Sequence, residues 1–85
     1  MQTYTYRIKT PEGLHARTSA LLCTLLSRAE STVSVSCNHI WADAKDPLSL
    51  MELCAQPGDL LEFMIAGPDE KKVKRLLETQ CPTLL

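Results

Sequence analysis

Tyr4, Tyr6 and Ile8 alternate with Thr5, Arg7 and Lys9, the period of two that a half-buried strand produces. Thr10-Pro11-Glu12-Gly13 ends the run with two turn formers. From residue 16 to about residue 29 the period becomes helical. Ala20, Cys23 and Ser27 share one side, while Leu22, Leu25, Leu26 and Ala29 form a wide apolar face. Val33, Val35 and Cys37 mark a second strand, and Asn38-His39 supplies a two-residue reversal because Asn tolerates positive φ. Ile40, Ala42 and Ala44 should line one face of a third strand, with Trp41 and Asp43 on the other. Asp46-Pro47 reads as an N-cap followed by Pro at the first helical position, opening a short helix to about residue 53.

Pro57-Gly58-Asp59 is a turn, after which Leu61, Phe63 and Ile65 form the larger and therefore core-facing set of a fourth strand. Gly67-Pro68 closes it, Asp69 stands where it can cap a last helix, and Val73, Leu76 and Leu77 give that helix a buried stripe. Pro82 and the residues after it are expected to fray. The order β-α-β-β-α-β-α, with one obligatory hairpin, predicts an α+β fold with helices on one face of an antiparallel sheet.

Residues 1–85 are few enough to form a single domain with no deep interior for a large cofactor, so function is expected at the surface. The formal net charge is -1, with 45% hydrophobic and 22% charged residues, which suits a soluble globular protein. That balance argues against nucleic-acid binding, and Lys71, Lys72, Lys74 and Arg75 read as a solvated helix face flanked by Glu70 and Glu78. Cys23, Cys37, Cys54 and Cys81 have no paired spacing for a metal; they are read as reduced thiols packed as small hydrophobes in a cytoplasmic protein. No secretory leader and no stretch suited to membrane insertion is recognised.

The candidate chemistry sits where the first turn meets the first helix. His15 falls at a helix start, where backbone N–H groups lack intrahelical acceptors and the dipole favours an anion. Neutral imidazole is nucleophilic near pH 7. Arg17 offers a planar guanidinium for phosphate oxygens, and Gly13 permits close backbone approach. Histidine, first-turn donors and cation together would suit a phosphate carrier. The plain alternative is a surface turn histidine beside a surface charge.

Gly13-Leu14-His15-Ala16-Arg17 resembles the active-site signature of the HPr family, the histidine phosphocarriers of the bacterial sugar phosphotransferase system. Ala44-Lys45, Met51-x-Leu53, Gly58-Asp59 and Gly67-x-Asp69-Glu70 also fall where that family has similar residues. The resemblance implies an open-faced β-sandwich with four antiparallel strands and three helices. It implies that His15 takes a phosphoryl group on Nδ1 from phosphorylated enzyme I and passes it to enzyme II A domains. Arg17 would steady the phosphate, with the first-turn positions Ala16 and Thr18 beside it. The family's partner-docking positions match Ala20, Leu21, Thr24, Pro47, Leu48 and Met51. Leu48 reads equally as docking patch or core, whereas Met51 reads as patch because Met suits adaptable surfaces. The implied protein is a transiently phosphorylated carrier rather than a stand-alone enzyme, acting as a monomer with no cofactor.

Two positions depart from the family's usual pattern. Thr18 stands where the family has Pro, giving up a fixed φ but adding an N–H and a hydroxyl that can reach a phosphate. Asp46 stands where many members carry a regulatory, phosphorylatable Ser. It reads as a plain N-cap; the sharper alternative is a fixed charge imitating the phosphorylated state. The alternative function is accordingly an HPr-like regulator that binds partners through Leu21, Leu48 and Met51 without relaying phosphate.

Overall fold

A computed structural model describes residues 1–85. The strands are β1 (Gln2–Arg7), β2 (Thr32–Cys37), β3 (Ile40–Asp43) and β4 (Leu60–Ala66); the helices are α1 (Ala16–Leu26), α2 (Pro47–Glu52) and α3 (Glu70–Leu84). The four strands form one sheet in the order β1-β4-β2-β3, antiparallel at every pairing. The β-α-β-β-α-β-α order and the open antiparallel sheet agree with the pattern of apolar positions.

Strand alternation decides the core. Tyr6 of β1, Val33 and Val35 of β2, Ala42 of β3, and Leu61, Phe63 and Ile65 of β4 are buried together with Leu22, Leu26, Leu50, Val73 and Leu77 from the helices. The β2–β3 reversal works as expected, since Asn38 and His39 adopt φ of 52° and 68°. Asp46 caps α2, its carboxylate accepting the Leu48 N–H at 3.1 Å, with Pro47 at the first helical position.

Several expectations need correction. Helix α1 stops at Leu26, short of residue 29, and Ala29 donates instead to the Leu26 carbonyl in a turn at 3.1 Å. Ile40 is exposed, at the residue that follows the Asn38-His39 turn. Cys37 and Cys81 are core residues, but Cys54 is exposed at a left-handed turn position with φ of 51°. Burial pushes the Cys81 thiol up to about 12, so it stays protonated.

Asp69 does not cap α3. Its carboxylate turns to the loop before β2, accepting the Glu30 N–H at 3.0 Å, the Ser31 N–H at 2.9 Å and the Ser31 hydroxyl. The tail is not frayed either. Helix α3 runs through Pro82, and Leu85 is buried with its carbonyl accepting the N–H groups of Lys9 and Thr10 at 2.8 and 2.7 Å. A late helical Pro forfeits one backbone bond, and the docked last turn compensates for it.

Candidate functional site

Gly13 shapes the approach to α1. It adopts φ of 64°, and a Cβ there would collide with the carbonyl oxygen of Ala55. The close approach has a purpose, because that carbonyl accepts the Leu14 N–H at 3.0 Å. Leu14 is buried, so it pins the turn to the segment after α2. His15 then becomes the N-cap of α1, with extended φ and ψ of -132° and -163°.

Thr18 sets the His15 backbone. Its Oγ1 accepts the His15 N–H at 2.9 Å and donates to the Gly13 carbonyl at 2.9 Å. Thr18 is 4% exposed. The hydroxyl is therefore committed to the turn, and the expected hydroxyl contact with phosphate gives way to a structural role. The Thr18 N–H is met by the His15 ring rather than by a backbone acceptor. No backbone acceptor takes the N–H groups of Ala16, Arg17 or Thr18, as expected for a first helical turn.

The imidazole stands at the surface, its side chain 45% exposed. Nε2 lies 2.8 Å from Oε2 of Glu12, and the ring faces the Thr18 N–H in a capping-box arrangement. An ionised carboxylate can only accept, so in the neutral ring Nε2 is the protonated nitrogen and the Nδ1 lone pair faces the Thr18 N–H. Arg17 is exposed, and its guanidinium makes no ion pair within the chain. It lines an open depression with Lys9, Thr10, Glu12, Leu21 and residues 82–85. Arg17 is thus near Glu12 and the first turn of α1, but no direct contact ties it to the imidazole.

The docking positions separate by exposure. Ala20, Leu21 and Thr24 are exposed on α1, and Pro47 and Leu48 are exposed on α2, which packs against α1. Leu48 is 67% exposed, which decides between its two readings in favour of the surface. Met51 is half-buried, and Leu50 takes the core position instead. Asp46, two residues before Leu48, has its carboxylate occupied by the α2 cap. No group of three or more His, Cys, Asp or Glu side chains is placed to hold a metal ion. No helix is long and apolar enough to cross a membrane.

Glu12 is the site residue that sequence reasoning passed over. The available signal was a carboxylate three residues before His15, in a turn that folds back toward the helix start.

Residues 2–80 match the family described as PTS HPr component phosphorylation site. A phosphocarrier protein HPr from Treponema pallidum (strain Nichols) is 34% identical over 70 residues, covering 82% of this chain and 80% of that protein. Among solved structures, an HPr from Thermoanaerobacter tengcongensis superposes with a TM-score of 0.91 at 28% identity, covering 98% of this chain and 93% of the other. A mycoplasma histidine-containing phosphocarrier protein shares the fold, with a TM-score of 0.90 at 21% identity over 99% and 97% of the two chains.

Proposed function

The chain belongs to the HPr family of the phosphotransferase system, and on that premise we propose that His15 relays a phosphoryl group from phosphorylated enzyme I to enzyme II A domains. The observation that carries this reading is the state of the His15 ring. It is half exposed at the start of α1, with Nε2 engaged by Glu12 and Nδ1, the nucleophile of this reading, turned to the helix start and the Thr18 N–H.

Phosphoryl transfer asks chiefly for positioning and for stabilisation of charge on the equatorial oxygens. A phosphoryl group on Nδ1 would lie over the first turn of α1, where the N–H groups of Ala16, Arg17 and Thr18 have no other backbone partner. The free guanidinium of Arg17 is within the same turn and can swing to the phosphate as a bidentate donor. Partners would dock on Ala20, Leu21, Thr24, Pro47, Leu48 and Met51, an apolar surface beside the reacting ring. Exposed aliphatic side chains around a polar centre are the kind of surface a transient partner covers.

The relay is assigned to a single domain spanning residues 1–85, working as a cytoplasmic monomer and without a cofactor. Asp46 enters this scheme as the cap of α2 and not as a mimic of a phosphorylated residue, because its carboxylate already holds the Leu48 N–H.

Incubation with enzyme I and phosphoenolpyruvate, followed by intact-mass measurement, tests the relay. The expected product is one acid-labile phosphate adduct that is absent from His15→Ala and that disappears on addition of an enzyme II A domain. An adduct that persists in His15→Ala, or none in the unaltered protein, overturns the reading.

A further inference from the structure

We propose that Glu12 is a positioning residue for His15: its carboxylate holds a proton on Nε2, so that Nδ1 accepts the phosphoryl group and later releases it from a ring that leaves as neutral imidazole. This rests on the carrier reading of His15 and adds a residue to it.

The geometry is specific to one nitrogen. Glu12 Oε2 is 2.8 Å from Nε2, and the imidazole is the only side chain the Glu12 carboxylate meets at hydrogen-bond distance. Lys9 and Arg17 line the same depression as Glu12, yet neither pairs with it. The carboxylate is therefore committed to the imidazole. Without such a partner, neutral imidazole exchanges its proton between two nitrogens, and the tautomer protonated on Nδ1 cannot attack phosphorus from that atom. A carboxylate behind an active histidine fixes the tautomer and ring orientation, as it does for histidines that ligate metals.

The same proton governs release. On loading, the Nδ1 lone pair forms the N–P bond while the donor's bond to phosphorus breaks and its electron pair leaves with the donor. The ring is then cationic, and its Nε2–H remains paired with the Glu12 carboxylate. On delivery a lone pair of the acceptor bonds phosphorus as the N–P bond breaks, the N–P electron pair returns to Nδ1, and the neutral ring protonated on Nε2 is restored. No proton is exchanged in either step. A phosphorylated ring lacking the Nε2 proton would have to depart as imidazolate, a far poorer leaving group.

Glu12 also carries a negative charge, which opposes the phosphate. The opposition is limited because carboxylate and phosphoryl group attach at different nitrogens of the ring, and the N–H groups of the first α1 turn are at the Nδ1 end.

Long-range proton–nitrogen correlation spectra of the His15 ring, recorded on unphosphorylated protein in alkaline solution, provide the test. The unaltered protein should show the Nε2–H tautomer well in excess of that in N-acetylhistidine. Glu12→Ala should fall toward the N-acetylhistidine ratio, the Thr18 N–H still favouring a lone pair on Nδ1, and its phosphorylated form should deliver phosphate to an enzyme II A domain on the order of tenfold more slowly. Glu12→Gln, whose amide oxygen still accepts from Nε2–H, should retain the tautomer and recover part of the rate. An unchanged tautomer ratio in Glu12→Ala overturns the proposal whatever the rates. A protein that takes up no phosphate would instead overturn the carrier reading, and the tautomer ratio would still decide the role of Glu12.

Discussion

Thr18 and His15 clasp one another through the backbone: Thr18 Oγ1 accepts the His15 N–H at 2.9 Å while donating to the Gly13 carbonyl at 2.9 Å. One hydroxyl thus satisfies two backbone groups of the turn that presents the imidazole. A proline at this position would stiffen the helix start through its ring. Thr18 reaches a similar end through hydrogen bonds, and it keeps an N–H that a proline would lack.

Thr18→Val keeps the shape and removes both bonds. It should cost about 1–3 kcal/mol in urea unfolding, the net value of two hydrogen bonds, with more if the Gly13 carbonyl stays dry. It should also slow phosphorylation of His15 without abolishing it, because the ring and the first-turn donors remain. An unchanged phosphorylation rate would show that the clasp serves stability alone.

Gly13→Ala meets the Ala55 carbonyl and forces a side chain into a left-handed conformation. The expected loss is about 1–3 kcal/mol. Since Gly13 precedes Leu14 and His15, the same substitution should lower the rate of phosphate uptake, read by intact mass against time.

Leu48 and Leu50 lie two residues apart on α2, one 67% exposed and the other fully buried. Leu50→Ala should destabilise by about 2–5 kcal/mol, the cost of a core cavity. Leu48→Ala should stay within about 0.5 kcal/mol. Leu48→Glu should leave thermal unfolding unchanged but weaken binding to enzyme I by about tenfold or more, read by titration calorimetry. Equal binding by Leu48→Glu would remove α2 from the docking surface.

Asp69 gives the fold an acid-sensitive joint. Hydrogen bonding from the Ser31 hydroxyl, then from the Glu30 and Ser31 N–H groups, holds its carboxyl below the usual range. A carboxyl lowered in the folded state stabilises fully above its ordinary unfolded value. That contribution disappears as pH falls through the lower folded value. Asp69→Asn should therefore be less stable than the unaltered protein at neutral pH. The two unfolding curves should converge in acid, below the usual carboxylate range. A gap that persists unchanged into acid would place the effect on shape rather than charge.

Local pattern made much of this molecule legible. The alternations around Tyr6, Val35 and Phe63 identify three strands, Asn38-His39 identifies the hairpin, and Asp46-Pro47 identifies the start of α2. Each of those signals is contained within a few residues. What escaped depended on partners far along the chain. Asp69 leaves its helix for Ser31, 38 residues away, and Leu85 docks on Lys9 and Thr10. Neither choice follows from local propensity, because a capping carboxylate and a proline near a helix end have ordinary local readings.

At the site, His15 and Arg17 were identifiable from residue type and resemblance. The separation of Leu48 from Leu50 required the packing of α2 on α1. Glu12 was missed for a different reason. Its significance is a matter of which ring nitrogen it meets, and only atomic geometry supplies that.

Nitrogen-15 spectra of the phosphorylated protein, labelled in the histidine ring and observed for coupling to phosphorus, address the reacting atom itself. The expected spectrum has phosphorus coupled to Nδ1 of His15, with Nε2 still bearing its proton. Coupling at Nε2, or at no nitrogen of His15, would contradict the assignment of this ring as the phosphate carrier through Nδ1.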